Sequence, residues 1–318
     1  MIENELHFTN PISLVLAKSV SGGDLKSAKY ISIVEDERFL KSNRNNSQNI
    51  SISSKIAEVL GIDFDVIKYE EHLSNPAEII ESHLKKNFFP NGQTLIMHGG
   101  DNYCRFGFRN YANFPITKYR LKKAWEVVNF PVEDLLYGCN IEDYKKNSRN
   151  IHNTFNLKIP LLKKIVKEII EKSDLNLHNI FKNEKEKGYL LVMPYTHDRI
   201  NEEFSKNFFL SVKNIAQKMD LGVIIKNHPA DIYDYRQYFS KKEDIFFHQD
   251  ISNRHIPVEF FLQSQQVKYT VCVPSSSLVF SETDRLIVHV PRDRDLFRRT
   301  FLDQIPFLNR LGISPTDI

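Results

Sequence analysis

Cysteine is nearly absent from this sequence. Its 318 residues include three, Cys104, Cys139 and Cys272, with no C-x-x-C spacing. So sparse and odd a set excludes a disulfide framework and a zinc ribbon, and it fits a reducing compartment. Glycine is scarce as well. Its 11 residues are about half the usual ~7%, which excludes collagen-like and glycine-rich sequence. Neither G-x-G-x-x-G nor a Walker loop occurs, which weighs against dinucleotide and ATP sites. The 11 histidines include no H-E-x-x-H or similar ligand spacing. Charge of one sign is lacking too. With 43 basic and 40 acidic residues the net charge is +3, too small to mark a nucleic-acid binder. Long apolar runs are missing: none approaches the ~20 residues that span a bilayer. The opening Met1-Ile2-Glu3-Asn4-Glu5 is acidic, without the basic and apolar regions of a signal peptide. A cytoplasmic protein with no nucleic-acid partner is therefore expected.

The composition is otherwise that of a folded protein. Hydrophobic residues make up 41% and charged residues 26%, enough for a sizeable core. At roughly 100–200 residues per domain the length suits two domains. Apolar runs alternate with helical patterns throughout, as in an α/β protein with mainly parallel sheets. Strands are expected at 6–9, 30–34, 64–67 and 94–97. Pro11 suits the first turn of a helix, and further helices are expected at 51–60 (ended by Gly61), 76–86, 118–128 around Trp125, and 160–172. Polar stretches at 140–156 and 174–187 place a junction near 155–187. A second series follows, with strands at 189–193, 223–226, 245–247, 269–273 and 286–290. Its helices are expected at 202–219 and from 257 to 263, with a tail at 294–311 broken at Pro306. Two similar halves point to Rossmann-like domains, 1–172 and 188–318, facing a central cleft. In such folds ligands sit beyond the carboxyl ends of strands.

Three strand-end or helix-start motifs stand in order in the second half. Lys226-Asn227-His228-Pro229 follows a strand; proline biases His228 away from helix, and its imidazole can donate to a phosphate oxygen beside the Lys226 charge. An ordinary loop histidine is the simpler alternative. Ile256-Pro257-Val258-Glu259 opens a helix; its carboxylate either complements the helix dipole or accepts from ribose hydroxyls. Pro274-Ser275-Ser276-Ser277 reads as a helix start. One serine caps a helix, and three in a row can also bind an anion. Glu259 lies 31 positions after His228, and Ser275 and Ser276 lie 16 and 17 further.

This order, K-x-H-P, I-P-x-E, S-S, resembles the donor domain of bacterial GT-B sialyltransferases. The opening Phe8-Thr9-Asn10-Pro11-Ile12-Ser13-Leu14 resembles that of the lipooligosaccharide sialyltransferases. The resemblance implies a GT-B fold with an acceptor-binding first domain and a donor-binding second domain. The C-terminal helix would pack back on the first domain. It implies an inverting, metal-independent transfer of sialic acid from CMP-sialic acid to a glycan acceptor. His228 would assist the leaving phosphate, Ser275 and Ser276 would hold it with Ser277 beside them, and Glu259 would bind ribose, with Lys226 and Pro229 in the same donor site. The family's acidic pair before a glycine, source of its general base, is absent here. Met97-His98-Gly99-Gly100-Asp101 stands instead, leaving His98 or Asp101 as base, against the plainer reading of a glycine turn. Other donors remain open: another CMP-nonulosonic acid, Kdo, or a CDP-polyol. So does a non-catalytic nucleotide- or glycan-binding protein.

The remaining signals are weaker. Asp63-Phe64-Asp65 and Asp293-Arg294-Asp295 match D-x-D, but one overlaps a strand start and the other sits in a basic helix, so no metal is expected. Arg292, Arg294, Arg298 and Arg299 interleave with Phe297 and Phe301. A solvated face is the commoner outcome of such a pattern, and peripheral contact with the inner membrane face is the alternative.

Overall fold

A computed structural model describes residues 4–8, 10–12, 14–15, 18, 28–35, 46–69, 93–97, 124–126, 159–175, 177, 181, 188–194, 201–229, 231, 233–239, 247–249, 254–300, 308–309 and 312–318. The chain divides into two compact units, Met1–Ser173 and Asp174–Ile318. Both are α/β units with parallel sheets. Among the described residues no helix is long and apolar enough to cross a membrane.

The first unit carries β1 (Asn4–Phe8), β2 (Ala28–Glu35), β3 (Phe64–Tyr69), β4 (Gln93–Met97) and β5 (Ala124–Glu126), in the spatial order β3-β2-β1-β4-β5. All its pairs are parallel. After β1, Pro11 is buried in a helical turn, and Leu14 and Val15 are buried with Phe8. Helix α1 (Asn46–Leu60) packs on α2 (Ile159–Lys172). Buried Leu162, Ile165, Val166 and Ile169 form the inner stripe of α2, at the i, i+3, i+4, i+7 spacing of one helix face. Gly61 ends α1 at φ +61°, with the Ile62 N–H donating to the Ala57 carbonyl at 2.9 Å. That is the left-handed cap for which glycine is suited.

Trp125 corrects one expectation. The segment 118–128 reads as a helix, but Ala124–Glu126 is a strand paired with β4, Trp125 opposite Leu95. The open edge of β4 offers backbone partners that a local helical pattern cannot outweigh. The expected strands at 6–9, 30–34, 64–67 and 94–97 correspond to β1 to β4. The helix at 76–86 lies outside the described residues.

The second unit carries β6 (Tyr189–Met193), β7 (Gly222–Ile225), β8 (Phe247–Gln249), β9 (Val267–Cys272), β10 (Leu286–Val290) and β11 (Thr316–Asp317), ordered β11-β10-β9-β6-β7-β8. Every pairing is parallel. Strands β6 and β7 are buried throughout, as strands covered on both faces must be. They are joined by α3 (Glu202–Met219), capped by Asn201, whose side chain accepts the Phe204 N–H at 2.8 Å. Phe204, Phe208, Phe209, Val212 and Ala216 of α3 pack with Leu190, Val192, Val223, Ile225 and Val271. Burying each phenylalanine contributes about 1.5–3 kcal/mol, so this helix-sheet contact supplies several kcal/mol to the unit's core.

The tail is expected to be helical from 294 to 311; residues 301–307, 310 and 311 lie outside the described residues, and 308–309 are helical. Helix α5 covers Arg294–Thr300. Asp293 caps it, accepting the N–H groups of Asp295 and Leu296 at 2.9 and 3.1 Å. This D-x-D match is therefore a helix cap. Arg292 and Arg294 are exposed, while Leu296 is buried and Phe297 half-buried against the core.

Candidate functional site

Within the second unit β6 and β9 lie side by side, and the chain runs outward from them in opposite directions. That is a topological switch point, where open parallel sheets leave a crevice beyond the strand ends. Four segments reach this edge: Pro194 after β6, residues 226–229 and Asp231 after β7, residues 254–257 leading into α4 (Val258–Leu262), and residues 273–277 after β9.

Lys226 continues the sheet, its N–H donating to the Val192 carbonyl at 2.9 Å. Its side chain turns inward and is only 6% exposed. The ammonium donates to the carbonyls of Asn227 (2.8 Å) and Arg254 (2.5 Å) and lies 5.9 Å from the Phe261 ring centroid. Two carbonyl acceptors satisfy a cation that burial would otherwise penalise. Lys226 thus ties the loop after β7 to the segment before α4, rather than standing free in the crevice.

Glu259, in the first turn of α4, is also 6% exposed. Its Oε1 accepts from the Ser277 hydroxyl at 2.7 Å. Burial pushes this carboxyl above the usual carboxylate range, while hydrogen bonding from Ser277 and the Lys226 charge work the other way. Ser277 is buried with it. The expected helix start at Ser275–Ser277 is a 3-10 turn, Ser276–Phe280, capped by Ser275. The Ser275 side chain accepts the Ser277 N–H at 3.3 Å. So short a turn has little aligned dipole, and any anion binding there depends on the hydroxyls and single N–H groups.

His228 and Pro229 are exposed at the tip of the β7 loop. Lys226, Glu259 and Ser277 thus form the interior of one strand-end site, with His228 and Pro229 on its surface and Ser275 half-buried. Ser276 begins the turn, and its side chain lies outside the described residues. His98 and Asp101 follow β4 and also lie outside the described residues, as do Tyr195, Thr196 and His197 after β6.

Several groups here carry no sequence motif. Asn227, Asp231 and Tyr235 bind the β7 loop together. The spacing N-x-x-x-D across Asn227 and Asp231 was the available signal. His255 is buried beside Arg254, whose Nε donates to its Nε2 at 3.4 Å. Burial, reinforced by the charges of Arg254 and Lys226, pulls the imidazole down to about 4. Because this value lies below the ordinary 6.5, the stability it confers is complete above pH 6.5 and fades as pH falls toward 4. Between pH 7 and 5.5 the loss should be about 1 kcal/mol. Glu259 opposes it, since a raised carboxyl stabilises at low pH and loses that contribution as pH rises. Urea unfolding of the wild type and His255→Gln isolates the imidazole: the variant should lose less stability over this interval. Equal slopes would remove His255 from the account.

The sequence matches no protein-family model and no curated protein. Solved structures do resemble it. A protein assigned as a UDP-N-acetylglucosamine 2-epimerase from Listeria monocytogenes matches over 99% of this chain and 92% of its own, at 13% identity and a TM-score of 0.52. The UDP-GlcNAc 2-epimerase of Neisseria meningitidis, solved with UDP-GlcNAc bound, covers 92% and 83% at 13% identity and a TM-score of 0.49. The Listeria likeness, running the length of both chains, is one of fold. It also corrects the donor: the Listeria structure bears a UDP-sugar epimerase name, which overturns the CMP-sialic acid partner and the sialyl transfer expected from the strand-end motifs. That expectation rests on residues suited to ribose and phosphate, which every nucleotide shares, and on none expected to read the base. The chain is an α/β protein of the GT-B fold, built from two Rossmann-like units.

Proposed function

We propose that this chain is an enzyme of activated-sugar metabolism. Its Asp174–Ile318 unit binds the nucleotide of a UDP-N-acetylhexosamine, and inversion at C2 of that sugar is the reaction. One observation carries the nucleotide reading: Lys226, Glu259 and Ser277, distant in sequence, join at the strand ends beside the switch point. The epimerase names of the structural neighbours supply the uridine diphosphate and the reaction class.

Each group has a role in that reading. Glu259, held by Ser277, accepts from ribose hydroxyls. His228, Ser275 and Ser276 donate to phosphate oxygens, with Pro229 fixing the turn beyond His228. Donors aimed at the pyrophosphate matter most when negative charge builds there, and no metal is assigned to that task. Acid–base work at the sugar falls to His98 or Asp101, which follow β4 in the sequence. A histidine titrates near neutral pH, as such work requires.

Calorimetry and thermal shift with UDP, UDP-N-acetylglucosamine, CMP and GDP test the nucleotide. The two uridine ligands should bind and raise Tm, a ligand at 100 times its Kd adding about 2.7 kcal/mol. Selective stabilisation by CMP would overturn the assignment. Inversion at C2 requires the C2 proton to leave and another to return on the opposite face. Proton NMR of UDP-N-acetylglucosamine incubated in D2O should therefore show a second epimer deuterated at C2. A single, fully protonated epimer after long incubation would remove the reaction.

A further inference from the structure

We infer that Asp231 is the positioning residue for His228, acting through the buried Tyr235 hydroxyl; this rests on the reading that His228 holds a phosphate. The loop after β7 is not an ordinary surface turn. The Asp231 N–H donates to the His228 carbonyl at 2.8 Å, closing a four-residue turn around Pro229. Asp231 is buried, only 6% exposed. One of its carboxylate oxygens accepts the Tyr233 N–H at 2.9 Å and the other the Tyr235 hydroxyl at 2.5 Å. The Asn227 amide, also buried, donates across the loop to the carbonyls of Tyr233 (3.0 Å) and Asp231 (3.4 Å).

The far end of this network sits in the core. Tyr235 is fully buried, and its ring lies 5.1 Å from that of Phe209 on α3 and 5.0 Å from that of Tyr233. Desolvation and the Asp231 carboxylate both raise the Tyr235 phenol, so it stays a donor. The exposed imidazole is therefore carried on a turn tied to the helix-sheet core by one hydroxyl and one carboxylate. A phosphate-binding donor needs such fixing, because an unrestrained loop must be ordered when ligand arrives. A bare cap for the 3-10 turn Tyr235–Tyr238 would not need Asp231, since Asp234 caps it through the Arg236 N–H.

Tyr235→Phe removes the hydroxyl and keeps the ring. UDP affinity, measured by calorimetry on the full chain well below the Tm, should fall about tenfold. Asp231→Asn provides a second variant with a similar expected loss. The deciding measurement is a cycle with His228→Ala. In that background Tyr235→Phe should change affinity by less than about twofold, because residues acting through one another are not additive. A purely structural loss would persist undiminished. If His228→Ala leaves UDP affinity unchanged, the phosphate reading fails and the inference with it. If His228→Ala weakens binding while both other variants leave it intact, or their losses add in full, the inference alone fails.

Discussion

His228→Ala should cost about 10²-fold or more in turnover, the scale seen when one donor to a developing oxyanion is removed, and leave the Tm almost unchanged. The split follows from where the side chain sits. His228 is exposed at the tip of its loop, and surface substitutions usually change stability by no more than about 0.5 kcal/mol. Its backbone carbonyl, which accepts from Asp231, survives the change. Lys226→Ala is the contrasting variant. Removing that buried ammonium strips the Asn227 and Arg254 carbonyls of a donor and takes a positive charge from near Glu259. Stability and turnover should fall together. Epimerisation rates beside thermal unfolding separate the two. Near-normal turnover in His228→Ala would remove its assigned role, and a matching loss of Tm would make that role structural.

The sequence is most legible where local signals agree. Strands β6 and β10 and helix α3 fall on the residues read from the sequence alone. In α3 the Asn201 cap, the acidic first turn and the phenylalanine face all point to one helix. Trp125 reads as helical because its strand exists only through pairing with β4, a partner distant in sequence. β11 carries no local signal for the same reason: Thr316 and Asp317 are strand only because β10 has an edge to pair with.

The site divides along the same line. His228, Glu259 and the serines are visible as strand-end or helix-start motifs, because proline, an early glutamate and stacked hydroxyls are local features. Their commitments are not visible. That Lys226 turns inward, that Ser277 binds Glu259, and that Asp231 meets Tyr235 all depend on packing between segments. The base is the least legible part. Phosphate and ribose are the same groups in CMP and UDP, and none of the three motifs is a pattern that tells cytosine's amino group from uracil's carbonyl. The acid–base expectation at His98 and Asp101 is a local one, read from the glycine pair between them.

Gly188→Ala should destabilise the second unit by about 3 kcal/mol, far more than the same change at Gly61. Both glycines have positive φ, +93° and +61°, so alanine is strained at either. The difference is space. A Cβ on Gly61 would meet nothing within 4 Å, whereas one on Gly188 would lie 2.8 Å from the Gln266 carbonyl oxygen and 2.8 Å from Cγ of Lys268. The lysine is exposed and can swing away. The carbonyl cannot, because it accepts the Tyr189 N–H at 2.9 Å where β6 begins to pair with β9. Gly188 is held on the other side as well, its own carbonyl accepting from Gly222 at 3.1 Å. The register already shifts between Tyr189 and Leu190, so relief must come by parting the two central strands. The opposite ends of those strands carry Pro194 and Ser275, which makes lost UDP affinity the second expected effect. Gly61→Ala should cost only about 1–2 kcal/mol, the left-handed penalty without a clash, and should leave UDP binding alone. Urea unfolding of the full chain in the two variants decides it: equal costs would mean that the β6–β9 junction yields to a methyl group, and the close approach at Gly188 would not be a constraint on the fold.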